Sequence, residues 1–180
     1  VLHIASDDKD IIEKIKLTLN YDGPIHQKER FNGKISYSLR ICDQTIFNDL
    51  QKLSITERKS LTFTPPEIPA NLIRHFIRGY FDGDGSVCLR NISYKSRIVV
   101  YFYTASQTMS KYLYLNIKQL LNNSYNGKIG TFLIQQKKPY YRISLGHKSS
   151  VKLFDYMYRD AELYLERKFN KFTVGLGYGN

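Results

Sequence analysis

The chain has 180 residues, of which 42% are hydrophobic, and its 27 Lys and Arg against 16 Asp and Glu give a formal net charge of +11. That length supports one domain or two small halves with a shared core, and the charge favours a polyanionic partner such as nucleic acid. The sequence contains no apolar run of about 18 residues and no signal-peptide pattern, and its two cysteines match no metal spacing and form no disulfide framework. We therefore expect an intracellular protein of the cytoplasm or an organelle matrix, neither secreted nor membrane-bound.

The first third of the chain predicts five elements in the order strand, helix, strand, strand, helix. Their expected bounds are Val1–Ala5, Lys9–Leu19, Ile25–Phe31, Ile35–Ile41 and Thr45–Leu53. A stretch rich in proline, "SLTFTPPEIPAN" (Ser60–Asn71), follows and predicts a stiff, extended linker.

Beyond the linker, the pattern predicts the element order αββαββα. The expected bounds are Ile68–Phe81, Ser86–Asn91, Ile98–Thr104, Gln107–Leu121, Lys128–Gln135, Tyr140–Leu145 and Val151–Phe169. Pro69 near the first turn favours the start of the leading helix. The tail "GLGYGN" is expected to fray.

The two parts repeat one another. Ala-Ser, a helical segment and Tyr-Asx-Gly-X-Ile occur in both, then "SYSLRI" parallels "YYRISL", and "ERK" occurs at 57–59 and again at 166–168. Four matches in the same order indicate a duplicated unit. We predict an incomplete first half over 1–60, a linker over 61–71, a second half over 72–172 and a tail over 173–180. The first half lacks its leading helix and strand, whose counterpart would lie about 20 residues before Ala5.

The most informative stretch is "HFIRGYFDGDGSV" (His75–Val87), in which an apolar run leads directly into Asp-Gly-Asp-Gly. Gly79 and Gly83 are four residues apart, so they share one helix face and allow a second helix to approach closely. Asp82 and Asp84 stand at the helix C-terminus, where the helix dipole adds negative charge and favours a cation such as Mg²⁺. An ordinary glycine-rich helix end would produce the same short pattern, and the duplication and positive charge favour the metal site.

"IRGYFDGDG" (Ile77–Gly85) resembles the motif of the LAGLIDADG homing endonucleases, and "YLERKFNKF" (Tyr164–Phe172) is similar to the later part of members with two motifs. The resemblance implies an α+β fold of duplicated αββαββα units, with motif helices at the centre and saddle-shaped antiparallel sheets in the DNA major groove. It also implies Mg²⁺-dependent double-strand cleavage, with Asp84 as the catalytic metal ligand, the Gly83 carbonyl as a further ligand, and Asp82 as a structural residue.

Two further positions are carried over from the resemblance. Arg78 replaces the small residue usual at the second place of the motif; that position can face outward, so the replacement does not count against activity. Lys148 is the candidate for the lysine that the family often has near the end of the fourth strand, and Gln44 stands at the matching place in the first half.

Alternation along the strands predicts a polar face on each sheet that reads DNA, because Arg reads guanine and Gln reads adenine in the major groove. A solvated sheet face would alternate in the same way, and the net charge favours DNA. The predicted DNA-binding residues are Lys28, Arg30, Ser36, Ser38, Arg40, Ser86, Cys88, Arg90, Gln135, Lys137, Tyr140, Arg142 and Ser144.

The sequence therefore predicts a site-specific DNA endonuclease that hydrolyses a long double-stranded target with Mg²⁺ or another divalent cation. It would be a pseudo-symmetric monomer if a first motif lies upstream, and otherwise would need a pairing partner. The alternative is a non-catalytic DNA- or RNA-binding protein on the same fold, such as an intron maturase with intron RNA as partner, or a transcription regulator. The nuclease part of an intein ranks last, because no splicing signature is present. The target sequence cannot be read from the chain.

Overall fold

The computed structural model describes residues 1–55, 63–92, 95–121, 129–133 and 139–177. Over these residues the fold is α+β, with antiparallel sheets as predicted. The strands are β1 Leu2–Ser6, β2 His26–Glu29, β3 Ile35–Ile41, β4 Ser86–Ile92, β5 Lys95–Thr104, β6 Ile129–Leu133 and β7 Pro139–Leu145. The helices are α1 Lys9–Thr18, α2 Gln44–Lys52, α3 Ile73–Asp84, α4 Gln107–Leu120, α5 His147–Tyr158 and α6 Glu166–Leu176, and a 3-10 turn at Ala70–Leu72 leads into α3.

The strands form two antiparallel sheets whose order reflects the duplication. The first sheet has the order β1-β3-β2 and the second β4-β5-β7-β6. Without its edge strand β4, the second sheet has the order β5-β7-β6, which reproduces the first. The strand that the first half lacks is therefore the counterpart of β4, as the repeat predicted.

Helices cover one face of each sheet, and the two cores differ greatly in size. The second half buries sixteen hydrophobic residues in one cluster around Phe81, Phe102 and Phe172. The first half buries only Ile12, Leu39 and Ile41. Since buried apolar area is the main stabilising contribution, the second half supplies most of the stability of the fold.

Ion pairs join the two halves. The ammonium of Lys14 on α1 lies 2.6 Å from the Glu166 carboxylate at the start of α6, and Nε of Arg167 lies 2.8 Å from Asp8. Lys14 also stands over the ring of Tyr164, 4.4 Å from its centroid. The N-terminus of α6 therefore holds the first half in place.

The prediction of one helix over Val151–Phe169 was wrong. The chain leaves α5 at Arg159, where φ is −58° and ψ 122°, and Asp160 has a positive φ of 57°. A new helix starts only at Glu166. The apolar spacing continues across the break, and the break itself is held by contacts to α3 that the local sequence does not reveal.

The remaining predicted elements agree with the structure to within a few residues at each end. The domain boundaries stay a prediction, and part of the predicted linker lies outside the described residues. Among the described helices, none has the length and apolarity that crossing a membrane requires.

Candidate functional site

The helix that carries the Asp-Gly-Asp-Gly stretch, α3, presents two different faces. Ile77 and Phe81 are fully buried against the second sheet. On another side, a Cβ added to Gly79 or to Gly83 would meet no atom within 4 Å. The glycine face of α3 is therefore open, with room for a second helix backbone.

Two clefts flank this glycine face, and His75, Gly79 and Gly83 line both of them. The first cleft, of about 480 Å³, also contacts Asp84 and Tyr80. The second, of about 390 Å³, separates α3 from β1 and α1 and is mostly apolar; in addition to the three shared residues it is lined by Ile4, Ala5, Ser6, Ile11, Ile12, Ile15, Arg78, Asp82, Leu163 and Leu165. An apolar cleft beside small residues is a typical site for the packing of a helix.

Lys168 on α6 caps the end of α3. Its side chain is only 4% exposed, and its ammonium donates to the carbonyl oxygens of Phe81 (2.6 Å), Asp82 (2.8 Å) and Gly85 (2.6 Å). The last carbonyls of a helix lack intrahelical donors, and a cation there also complements the dipole. The pKa of Lys168 is lowered to about 8, chiefly by burial and also by the charge of Arg167, while the Asp82 and Asp84 carboxylates oppose the change.

The sequence interpretation missed Lys168, although its signal was present. The residue is the last of the "ERK" triplet that occurs twice, at 57–59 and 166–168. The first copy of the triplet lies outside the described residues.

Asp82 is engaged by protein groups rather than open to a ligand. One carboxylate oxygen accepts from the hydroxyl of Tyr158 at 2.7 Å, and the other accepts from the backbone N–H of Leu165 at 3.1 Å. Burial raises the pKa of Asp82, and its two hydrogen bonds and the charges of Lys168 and Arg78 act in the opposite direction. These contacts fix the segment between α5 and α6 against α3, which is a structural role.

Arg78 does not face outward, although its position in the motif allows that orientation. Its side chain is 7% exposed, and it donates to the carbonyl of Leu163 from Nε at 2.9 Å and to that of Met157 from Nη1 at 2.8 Å. Met157 belongs to the last turn of α5, whose carbonyls need donors. Arg78 therefore caps α5 from α3, while Lys168 caps α3 from α6.

Asp84 is the carboxylate at the end of α3 that remains open. It is exposed, it ends the helix, and it lines the first cleft together with Gly83. A carboxylate and a carbonyl are the oxygen ligands that Mg²⁺ prefers. Among the described residues there is no group of three His, Cys, Asp or Glu that could hold a metal ion. The donor set at this helix end therefore fits half of a metal site, to be completed by ligands from elsewhere.

The two residues expected near the fourth strand of each half do not reach this cleft. Lys148 is exposed in the first turn of α5 and does not line the cleft that contains Asp84. Gln44 starts α2, where its amide donates to Asn48 at 2.8 Å. A catalytic role of Lys148 stays a prediction, and the lysine that the structure places against the end of α3 is Lys168.

The outer face of the first sheet is basic. Cross-strand partners share a face, and the register pairs His26 with Ser38, Lys28 with Ser36, and His3 with Arg40. The predicted set of Lys28, Ser36, Ser38 and Arg40 therefore lies together, and Nη2 of Arg30 lies 3.3 Å from Ser36 Oγ. No strand residue described on this face is acidic.

The outer face of the second sheet is basic and aromatic. Register places the predicted Ser86, Cys88, Arg90, Arg142 and Ser144 on it, together with Arg97, Val99, Tyr101 and Tyr103, which the sequence interpretation missed. Tyr140 is on the same face, since its ring centroid lies 6.3 Å from that of Tyr103. The signal for the missed residues was the alternation along β5.

Side chains on this second face support one another. Arg90 donates to the hydroxyl of Tyr101 at 2.7 Å, and the guanidinium of Arg142 stands 5.4 Å from the centroid of the same ring. None of the described side chains on this face is acidic. The predicted Gln135 and Lys137 lie outside the described residues.

Comparison with known proteins shows a family resemblance over part of the chain. Residues 71–155, which contain α3 and the strands that follow it, match the family model of the LAGLIDADG-like domain. This part of the chain is similar to that domain. The resemblance seen in "IRGYFDGDG" is thereby confirmed.

The fold agrees with a solved member of the homing endonucleases. The structure of the homing endonuclease I-WcaI bound to its DNA recognition sequence superposes with a TM-score of 0.54 at 13% identity, over 94% of this chain and 73% of that one. The meganuclease I-SmaMI bound to uncleavable DNA gives a TM-score of 0.45 at 14% identity, over 87% of this chain and 72% of that one. The first match establishes that the LAGLIDADG-like domain and the preceding half share the homing endonuclease fold.

One relative carries a name that does not refer to homing endonucleases. The chain is 31% identical over 159 residues to the probable translation initiation factor IF-2 of Methanocaldococcus jannaschii. The match covers 84% of this chain and 13% of that protein, so the chain spans only a small part of its relative's length.

Proposed function

We propose that this protein is a site-specific endonuclease of the homing endonuclease type, which hydrolyses phosphodiesters of a long double-stranded DNA target with Mg²⁺ or another divalent cation. The observation that carries the proposal is the open end of α3, where Asp84 and Gly83 line a cleft while the Asp82 carboxylate and the carbonyls of Asp82 and Gly85 are engaged by other protein groups. That arrangement leaves one carboxylate and one carbonyl for a ligand.

The two outer sheet faces supply the DNA-binding surface in this proposal. The cations on them are Lys28, Arg30, Arg40, Arg90, Arg97 and Arg142, and no acidic strand residue is described on either face. A surface without carboxylates attracts phosphates and releases counterions, and its Arg and Ser side chains can read base edges in the major groove.

The proposed chemistry rests on Asp84 at the open end of α3. A divalent cation held at this end would activate water and stabilise the leaving oxygen. Lys168 holds the carbonyls of Phe81, Asp82 and Gly85, so it fixes the helix end from which Asp84 projects. Asp82 contributes by fixing the backbone and takes no part in ligand binding.

A double-strand break needs two such helix ends, and the described residues contain one. The open glycine face of α3 and the clefts beside it are the place where a second motif helix would pack. We propose that this helix comes from an upstream segment, which makes the protein a pseudo-symmetric monomer, or otherwise from a partner.

The test is cleavage of a randomised plasmid target library in Mg²⁺ by this chain and by a version extended upstream. We expect the extended protein to cut and Asp84→Asn to abolish cutting while DNA affinity is retained. Asp49→Asn, which changes an exposed carboxylate on α2, is the matched control and should cut as the wild type does. Cleavage that survives Asp84→Asn would contradict the assignment of Asp84.

The second candidate is a non-catalytic DNA- or RNA-binding protein, such as an intron maturase acting on intron RNA or a transcription regulator. The observation in its favour is that the described residues contain a single Asp-bearing helix end and no three-residue metal cluster. Salt-sensitive binding of DNA or RNA without cutting by either version of the protein would establish this candidate in place of the nuclease.

The match to a translation factor bears on genetic context. The chain corresponds to 13% of a protein whose name refers to another function, as an inserted mobile element would. This partial match favours an intein as the genetic context, the alternative that the sequence interpretation placed last. Joining this chain to flanking host sequence, expressing the fusion and weighing its products would test it, because protein splicing yields a joined host protein and a free fragment.

A further inference from the structure

Phe31 is the most exposed large hydrophobic residue in the described part of the chain. Its relative exposure is 113%. The next most exposed large hydrophobic residue, Leu17, has a relative exposure of 79%. An exposed aromatic ring forgoes the burial that would otherwise stabilise the fold. Its position at the tip of the β2–β3 hairpin leaves the whole ring accessible to a partner outside the chain.

The turn that carries Phe31 is well defined. The N–H of Arg30 donates to the carbonyl of Lys34 at 2.8 Å, and the N–H of Gly33 donates to the carbonyl of Arg30 at 2.9 Å. Gly33 has φ +74°, a conformation that glycine adopts without strain. Asn32 accepts from the N–H of Lys34 at 3.2 Å. The backbone is thus ordered around the ring, so holding Phe31 outward costs little further entropy on binding.

The surroundings of Phe31 are basic on the side that continues into the outer face of the first sheet. Lys28 and Arg30 precede it and Lys34 follows it, all three exposed. Arg30 is held by Asp7 at 2.8 Å, which orients its guanidinium beside the turn. An exposed ring between cations matches the chemistry of nucleic acid, in which flat bases lie between phosphates.

We propose that Phe31 is a base-stacking wedge that contacts a base step of double-stranded DNA where the β2–β3 hairpin reaches the duplex. The inference rests on the proposed DNA-binding function and adds a contact that no strand residue supplies. Apolar side chains placed against base steps unstack them partly and bend the duplex. The flanking Lys28 and Lys34 would contact the phosphates on either side of the step, whereas Arg30 is already paired with Asp7.

The chain contains no tryptophan, which allows a direct test. Phe31→Trp places a single indole at the hairpin tip, and Leu17→Trp places one on the solvent side of α1 as a matched control. On titration with duplex DNA, we expect quenching of the indole fluorescence in Phe31→Trp, as stacking on bases produces, and no quenching in Leu17→Trp. Single-stranded DNA and heparin are titrated in parallel to separate base contact from binding of charge alone.

Affinity gives an independent readout. Phe31→Ala should weaken duplex binding about tenfold, since a base–aromatic stack is worth roughly one to two factors of ten in affinity. The dependence of affinity on salt should not change, because no charge is removed. Permanganate should detect unstacked thymines in the complex with wild type and none with Phe31→Ala, which needs no knowledge of the target.

The outcomes separate this inference from the proposed function. If the wild type binds duplex DNA and Phe31→Ala binds equally well without change in permanganate reactivity, the wedge is refuted and the DNA-binding function stands. If the wild type binds no duplex at all, the proposed function fails first. Quenching of Phe31→Trp by heparin as strongly as by DNA would also overturn the stacking contact.

Discussion

Lys168 shows how a single side chain organises the end of the motif helix. Its ammonium satisfies the carbonyls of Phe81, Asp82 and Gly85 at once, within a buried site. Without it the carbonyls of Asp82 and Gly85 would have no other described donor, whereas that of Phe81 would keep the N–H of Gly85 at 2.8 Å. Each unsatisfied buried acceptor costs about 1–3 kcal/mol.

Lys168→Met keeps the length of the aliphatic stem and removes the donors, so we expect it to lower the free energy of unfolding by about 2–4 kcal/mol, measured by urea denaturation. Lys171→Met, on the exposed side of the same helix, is the control and should change it by less than about 0.5 kcal/mol. Equal stability of the two variants would show that the carbonyls have other partners.

Asp82 provides a pH-dependent prediction at the same scale. Burial raises its folded-state pKa above the ordinary value of 3.8, so its contribution to stability is fully present below that value. As the pH rises, the unfolded chain ionises first, and the contribution is lost through the raised folded pKa. The difference in unfolding free energy between wild type and Asp82→Asn should therefore fall from pH 3 to pH 7. A difference independent of pH would contradict the raised pKa.

Residues of the site differed in how well the sequence could predict them. Asp84 and Gly83 followed from local pattern, because a carboxylate after a glycine at a helix end is visible in a few letters. The roles of Arg78 and Lys168 were missed because their partners are carbonyls distant in the chain, and any carbonyl looks the same in sequence. The partner of a charged residue within an apolar helix can be assigned only once the neighbouring helix is known.

At the scale of elements, the open face of α3 gives a prediction whose sign depends on what covers it. In the present chain, Gly79→Ala adds a methyl group into open space and removes the entropic cost of glycine in a helix. We expect thermal denaturation to show a gain of about 0.5–1 kcal/mol. In a chain that includes the second motif helix, the same methyl group would separate the two backbones, and both stability and cleavage should fall.

Gly85→Ala is the control for that substitution. A Cβ at this position would lie 2.6 Å from the carbonyl oxygen of Phe81, so the variant should be less stable in either chain. If Gly79→Ala had the same effect in both chains, the glycine face would not be a helix interface.

The elements that the sequence predicted well are those governed by their own periodicity. The seven strands and the helices α1, α2 and α4 begin and end within a few residues of expectation, because alternation and apolar spacing decide them locally. The break between α5 and α6 was missed because the apolar spacing runs through it. There the hydrogen bonds of Arg78 and Asp82 to the connecting segment prevail over helical propensity.

For the whole molecule, the two outer sheet faces, on which no described strand residue is acidic, predict where the protein contacts the phosphates of DNA. Replacing both Lys28 and Arg40 by Gln should reduce the slope of log affinity against log salt by about 2, because two phosphate contacts are lost. Replacing the exposed Lys111 and Lys171 on helices α4 and α6 removes the same charge from the opposite side and should leave the slope nearly unchanged. Filter binding over a series of salt concentrations measures both, and equal slopes would place the DNA elsewhere.

The polar contacts between α3 and the segment 157–168 have a consequence for retargeting the protein. Apolar packing tolerates small sliding of one helix along another, whereas the hydrogen bonds of Arg78, Asp82 and Lys168 fix the position of α3 along its own axis. None of these groups lies on an outer sheet face. In the proposed endonuclease, base preference could therefore be redesigned by exchanging side chains on the sheets while the helix end that carries Asp84 keeps its position, so new targets need not come at the expense of the proposed chemistry.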